Sequence, residues 1–352
     1  MKTLILLAKA PASETTELAA RGELPRPEYE ELQKALGAEL LDFHDVERSR
    51  HPAVRAAARK SPRWGLAMLG FLRRREFDHI YATGEDVGIP FATLCKGARW
   101  LGRVTVVIHN GGTPKRRVLL RALGHEVWRN VICLGEEQRR VLVEDIGLPA
   151  YKVHRFPQWL DGRFYDPALA SDGAKGEYVL SVGRESRDYP TLERAARGLP
   201  LRFHVVASGW APHAGFDVAT NISSGANVTV EKGGLPYPEL RERYGRARFV
   251  VAPLNRVTYA AGVTSICEAM AMGKAVVATA SPGILDYVKP GVSGLVVPVG
   301  DAEALRRAVV ELWDDEERCA EMGRHNRRWV EDVLSTDRYV ERVVGLLGGP
   351  AW

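Results

Sequence analysis

Short apolar runs alternate along the chain with segments of helical spacing, a pattern that builds α/β units around parallel sheets. In the first half the apolar runs predict strands at 3–7, 39–43, 79–82, 104–108 and 131–134. Helical patterns lie between them at 28–36, 53–59, 65–74, 90–100, 117–123 and 136–145. A second series of strands runs over 178–182, 202–206, 228–231, 249–252, 275–278 and 294–297. Its helices fall at 189–197, 238–245, 264–272 and 302–314, and residues 332–347 read as one more. No sequence repeats internally, but the architecture does, as two Rossmann-like halves. The stretch 166–176 is small, polar and Gly/Pro-containing, the natural linker between them. A cleft between the halves is then the expected ligand site.

Composition agrees with a two-domain globular chain. There are 352 residues, 45% hydrophobic and 26% charged. No apolar run approaches the ~20 residues needed to span a bilayer. The apolar run 4–8 leads into charged sequence without a small-residue cleavage site, so it reads as a buried first strand rather than a secretory leader. Cys95, Cys133, Cys267 and Cys319 are scattered, and the nine histidines form no HxxxH pair. That pattern predicts reduced, buried thiols in a cytoplasmic protein and no metal site.

Charge is uneven. Residues 1–170 hold 27 Lys and Arg against 21 Asp and Glu, a net of +6, whereas 171–352 hold 22 against 23. The excess points to an anionic partner for the N-terminal half, or to a solvated basic surface. The run 53–77 mixes basic residues with Trp64, Leu66, Met68, Leu69, Phe71 and Leu72. It is either a surface for peripheral contact with an anionic membrane at its inner face, or a core helix with an exposed basic end. Nucleic acid is a poor fit, since the basic residues lack interleaved aromatics. The chain also lacks GxGxxG after its first strand, GxxxxGK[ST] and GxSxG, which removes dinucleotide, P-loop and serine-hydrolase readings.

Four segments can carry chemistry. In 260–278 (AAGVTSICEAMAMGKAVVA) a loop becomes a helix at Gly262, Val263, Thr264 and Ser265, whose free backbone N–H groups suit an anion. Thr264 or Ser265 is a fitting N-cap. Glu268 lies one turn inside, on the expected exposed face, where it either reaches a ribose or complements the helix dipole. In 180–192 (LSVGRESRDYPTL) a strand, the Gly183 turn and a helix follow one another, with Arg184 and Arg187 placed to pair with a diphosphate. In 104–117 (VTVVIHNGGTPKRR) a buried strand ends in His109 and Asn110, and Gly111 and Gly112 permit close backbone approach. His109 either orients an acceptor hydroxyl or caps the strand. In 82–90 (ATGEDVGIP) Glu85 and Asp86 can bond acceptor hydroxyls or cap the next helix.

The segment EAMAMGKAVVAT, the glycine stretch 291–296 and the Asp301 loop resemble the C-terminal domain of glycosyltransferase family 4. The resemblance spans about residues 178–345. It implies the GT-B fold, α/β with two Rossmann-like domains facing each other across a cleft. Residues 1–167 would bind acceptor, residues 176–329 would bind the nucleotide-sugar, and a helix at about 330–350 would return to the first domain. It further implies a metal-independent, cofactor-free transfer from a nucleoside-diphosphate sugar, commonly a UDP-sugar, with retention at the anomeric carbon. Glu268 would hold the ribose, and the 262–265 amides, with Gly183, Arg184 and Arg187, the diphosphate. His109 would lie at the reacting centre beside an acceptor contacted by Glu85, Asn110, Gly111 and Gly112. Arg187 stands in for the family's lysine, which would fall at Tyr189. The first Glu of the family's Glu-x7-Glu pair falls at Ala260. That departure keeps two alternatives open, a nucleotide-sugar-binding protein that serves a partner and another GT-B reaction such as epimerisation or phosphorolysis.

Overall fold

The computed structural model describes residues 2–171, 176–207, 222, 224–232, 235–257 and 261–348. Ala260 and part of the expected 166–176 linker lie outside them. The chain divides into two compact units. Among the described residues, the first holds 2–17, 26–157 and 339–348, and the second holds 18–25 and those of 158–338. The boundary precedes the 166–176 stretch because Leu160, Phe164 and Tyr165 already belong to a core of the second unit.

The first unit is a six-stranded parallel sheet of β1 (Thr3–Leu6), β2 (Glu39–Leu41), β3 (His79–Ala82), β4 (Val104–Ile108), β5 (Trp128–Cys133) and β6 (Val153–Arg155). Their order is β2-β1-β3-β4-β5-β6, so the winding reverses between β1 and β3. Side-chain alternation sends Leu4, Leu6, Ile80, Ala82, Val106 and Ile108 into one core. On the other face Asn130 bridges Thr105 at 3.1 Å and His154 at 3.2 Å. The Tyr81 hydroxyl there meets that of Tyr339, on the helix Thr336–Leu347.

The second unit repeats the plan with β7 (Tyr178–Val182), β8 (Phe203–Ala207), β9 (Val228–Lys232), β10 (Ala247–Ala252), β11 (Val276–Thr279) and β12 (Gly294–Val297). All six strands are parallel in the order β12-β11-β10-β7-β8-β9. This is the doubly wound order, with its switch point between β7 and β10. Separate cores cover the two faces of the sheet, which is why its strands read as continuous apolar runs. All four cysteines are buried thiols outside any disulfide.

Several boundaries differ from the sequence pattern. The short β6 is absent from the predicted strands, and β5 starts at Trp128 rather than 131, a start the apolar pattern hides because exposed Arg129 interrupts it. The helix expected from Pro90 begins at Glu85 and holds Pro90 inside it. Gly88 explains its seat, since a Cβ there would collide with Val106 of β4. The helix expected over 136–145 is α-helical only over Glu136–Arg140 and then widens to a π-turn at Val141–Asp145. Residues 53–77 form helices Pro52–Lys60 and Pro62–Arg73, and Val54, Leu66 and Ala67 are spent on the core.

Candidate functional site

At the switch point of the second unit, the loop after β7 and the loop after β10 are stitched together. Asp188 N donates to Pro253 O at 2.8 Å, and Asn255 N donates to Ser186 O at 2.9 Å. Thr279, at the end of β11, fixes Leu254 by accepting from its N at 2.8 Å and donating to its O at 2.9 Å. The β7 loop turns through Gly183 at φ +114° and Ser186 at φ +55°. The first needs glycine for a second reason, since a Cβ would collide with the Arg187 guanidinium.

Arg187 is turned inward, not outward as expected. It is 7% exposed, and its guanidinium caps the carbonyls of its own loop. Nε and Nη2 donate to Val182 O at 3.1 and 2.8 Å, and Nη1 donates to Glu185 O at 3.0 Å. Nη2 also donates to Ser265 Oγ at 2.7 Å. Burial lowers the Arg187 pKa from its ordinary value, although an arginine so bonded keeps its charge. Its neighbour Arg184 stands half-buried on the same loop.

The helix Val263–Ala271 starts beside that guanidinium. Its N-cap is Gly262 at φ +77°, not Thr264 or Ser265. Thr264 is exposed, and Ser265 is turned inward, donating to Gly262 O at 3.0 Å. Gly183, Arg187, Gly262 and Ser265 therefore converge, although 78 residues separate Arg187 from Ser265.

Glu268 corrects the expected exposed face. It is 8% exposed and accepts from Tyr165 Oη on Oε1 and Tyr244 Oη on Oε2, each at 2.8 Å. The helix packs flat on β10 and β11, so its i+3 and i+4 positions face the core together. Burial raises the Glu268 pKa, opposed by the two phenols and by Arg187. Nothing local marks Tyr165 or Tyr244 as its partners, since they lie 103 and 24 residues away.

In the first unit a cavity of ≈ 400 Å³ opens at the β1/β3 switch point, lined by Lys9, Arg63, Thr83, Asp86, His109 and Arg116 among others. His109 is exposed on its wall, with Nε2 3.2 Å from Thr83 O. Glu85 corrects the expected acceptor contact. It is 5% exposed and holds the strand-end turn, accepting from His109 N at 2.9 Å and Asn110 N at 3.1 Å. Arg116 Nη1 adds an ion pair at 3.0 Å and bonds Asn110 O at 2.7 Å. Asp86 is not the N-cap residue, which is Gly84, but its Oδ1 accepts from Val87 N in the first turn at 3.1 Å while its Oδ2 pairs with Arg63 Nε at 2.8 Å. Gly111 directs its missing side chain at Ile108 and Leu142 in the core rather than at a ligand, and Gly112 is half-buried beside Asn110. Lys9 and Arg63 escape sequence reasoning because neither belongs to a motif.

Residues 218–329 match the family model for glycosyl transferases group 1. The chain is 24% identical over 331 residues to a GDP-mannose-dependent monoacylated α-(1-6)-phosphatidylinositol monomannoside mannosyltransferase of Corynebacterium glutamicum, covering 86% of this chain and 84% of that one. It is 37% identical over 101 residues to D-inositol 3-phosphate glycosyltransferase 1 of Catenulispora acidiphila, only 23% of that protein's length. Anabaena HepE, solved with UDP and glucose, superposes with a TM-score of 0.71 at 17% identity, covering 99% of this chain and 100% of that one. Residues 218–329 thus resemble the glycosyl transferases group 1, and the two-unit fold is GT-B. The match and the curated glycosyltransferase relatives together support a transferase enzyme. The matched residues include the Gly262–Glu268 helix start but not the Gly183–Asp188 loop.

Proposed function

We propose that this transferase moves a sugar from a nucleoside-diphosphate sugar, a UDP-sugar in our reading, to an acceptor hydroxyl. The observation that carries the proposal is the convergence of the Gly183 loop and the Gly262 helix start at the β7/β10 switch point. Free amides at the start of the Val263–Ala271 helix and the Arg184 guanidinium supply positive charge to a diphosphate. As the glycosidic bond breaks, negative charge grows on the departing nucleotide, so those groups lower the barrier without calling on a metal. Arg187 does not touch the donor in this scheme; it keeps the two loops in register. Glu268 reaches a ribose by exchanging one tyrosine bond for a hydroxyl of the sugar.

The acceptor belongs in the ≈ 400 Å³ cavity of the first unit, with His109 on its wall. There the imidazole orients the attacking hydroxyl. Retention at the anomeric carbon follows the family 4 resemblance and is read from the product anomer by NMR. Thermal-shift titration with UDP, GDP, ADP and their sugar conjugates tests the donor site, because a ligand that binds the native state alone raises Tm. Stabilisation by one nucleoside diphosphate, weakened in Arg184→Ala, is the expected result. No stabilisation by any of them overturns the reading. Ala260, where the resemblance expects Glu, favours a second reading, donor binding without turnover. Any transfer or donor hydrolysis above background rules that one out.

A further inference from the structure

A second cavity, of ≈ 300 Å³, lies at the other end of the second sheet from the Gly183 loop. It opens where β7, β8 and β9 begin, lined by Tyr178, Arg202, His204, Thr229, Arg243 and Arg246 among others. Five residues of extended chain along β7 separate Tyr178 from Gly183, about 16 Å. Of the residues proposed to hold the donor, none lines it.

Three guanidinium groups reach this cavity from two parts of the chain. Arg202 immediately precedes β8, and Arg243 and Arg246 share a face of the last turn of the Tyr237–Arg246 helix at i, i+3 spacing. Two carboxylates meet them. Glu231 Oε1 accepts from Arg243 Nε and Nη2 at 3.2 and 2.8 Å, and the Glu177 carboxylate accepts from Arg246 Nη2 at 3.0 and 2.7 Å. Arg202 is exposed and has no ion pair among the described residues. Burial lowers the His204 pKa, so the imidazole is neutral and three cations against two carboxylates leave one positive charge. The hydrogen bonding is incomplete as well. Arg246 Nε and His204 Nε2 are buried without a hydrogen-bond partner among the described residues, the latter 3.2 Å from Glu231 Oε1. Complementing the negative end of the helix dipole explains Arg243 and Arg246. It does not explain Arg202, which belongs to no helix.

We infer that this cavity is an anion site separate from the donor site, and that it binds the phosphate group of a small phosphorylated molecule. A phosphate monoester presents three terminal oxygens, one for each guanidinium, whereas a carboxylate has two. Arg202 offers all its N–H groups, and Arg243 and Arg246 offer those that their carboxylates leave unused. A small turn of the half-buried Arg246 side chain brings its orphaned Nε to an anion oxygen. The volume holds a phosphate with a small organic body, and buried Tyr178 and Phe203 line it with apolar surface.

Calorimetric titration of the full chain with inorganic phosphate, at pH 8 and fixed ionic strength, tests the site without donor or acceptor, so its outcome is separate from that of the transfer reaction. Phenylglyoxal labelling of arginines, read by mass spectrometry, locates the bound phosphate residue by residue. Saturating phosphate is expected to slow labelling of Arg202 about fivefold or more and to leave that of exposed Arg59 unchanged. Arg202→Gln, which breaks no ion pair, and Arg246→Lys, which keeps a cation opposite Glu177, should each weaken the titrated affinity about tenfold. Arg202→Gln should do so with Tm unchanged, and Arg184→Ala should retain the binding. The inference is overturned if phosphate leaves Arg202 labelling as it was, or if chloride at the same ionic strength protects Arg202 equally. It is overturned equally by phosphate binding that both Arg202→Gln and Arg246→Lys retain, or that Arg184→Ala alone abolishes, since the anion would then sit at the loop after β7.

Discussion

Arg187 Nη2 donates to Ser265 Oγ at 2.7 Å, and this one bond ties the loop after β7 to the start of the Val263–Ala271 helix. Everything assigned to the donor lies on one side or the other of that tie. The guanidinium is buried, so its fork geometry matters more than its charge.

Arg187→Lys keeps the charge but cannot reach Val182 O, Glu185 O and Ser265 Oγ together. Buried carbonyls left without donors are expected to cost about 3 kcal/mol of stability, against about 1 kcal/mol for Ser265→Ala. Urea unfolding measures both, and nucleotide affinity should fall in the same order. A lysine variant as stable as wild type would show that the loop holds itself.

Glu268 is an acid whose folded pKa lies above its unfolded value, so the native state binds the extra proton. Its contribution therefore favours the fold at low pH and is lost as pH rises above the unfolded carboxylate range. Gln keeps both contacts without a charge, its Oε1 accepting from one phenol and its Nε2 donating to the oxygen of the other. The Tm of Glu268→Gln relative to wild type should therefore climb as pH rises above the unfolded carboxylate range; a difference that stays flat with pH would refute the assignment.

His79 titrates the opposite way. It is fully buried on β3, neither ring nitrogen has a hydrogen-bond partner among the described residues, and burial pushes its pKa down to about 3. The unfolded chain takes up the proton near pH 6.5 while the native state refuses it. Stability is thus complete above pH 6.5 and falls by about 1.4 kcal/mol per pH unit as pH drops below that value toward 3. Denaturant titrations of His79→Phe at pH 7, 6 and 5 should show that slope reduced.

Glu85→Gln removes one of the two oxygens that hold His109 N and Asn110 N and leaves Arg116 without its carboxylate. The turn beside the cavity loosens while the donor unit is untouched. Initial rates should show the acceptor KM rising about tenfold with donor KM unchanged. An equal rise in both would place Glu85 outside acceptor binding.

Much of the fold is legible in the chain itself. Apolar runs bounded by turn residues determine eleven of the twelve strands among the described residues, because a strand buried on both faces is apolar along its length. Asp301, whose carboxylate accepts from Ala304 N at 2.8 Å, determines where the Ala302–Asp314 helix begins. The segments that meet at the proposed donor site are legible too, as glycine turns at strand ends. What each charged side chain meets was decided only by the tertiary structure. Arg187 and Glu268 look alike in sequence, polar residues near a glycine turn, yet one caps carbonyls and the other sits between two tyrosines. Local spacing dictates which face of an element a residue occupies. Its partner comes from another element, 78 residues away for Ser265 and 103 for Tyr165, and is chosen by how the sheets and helices pack.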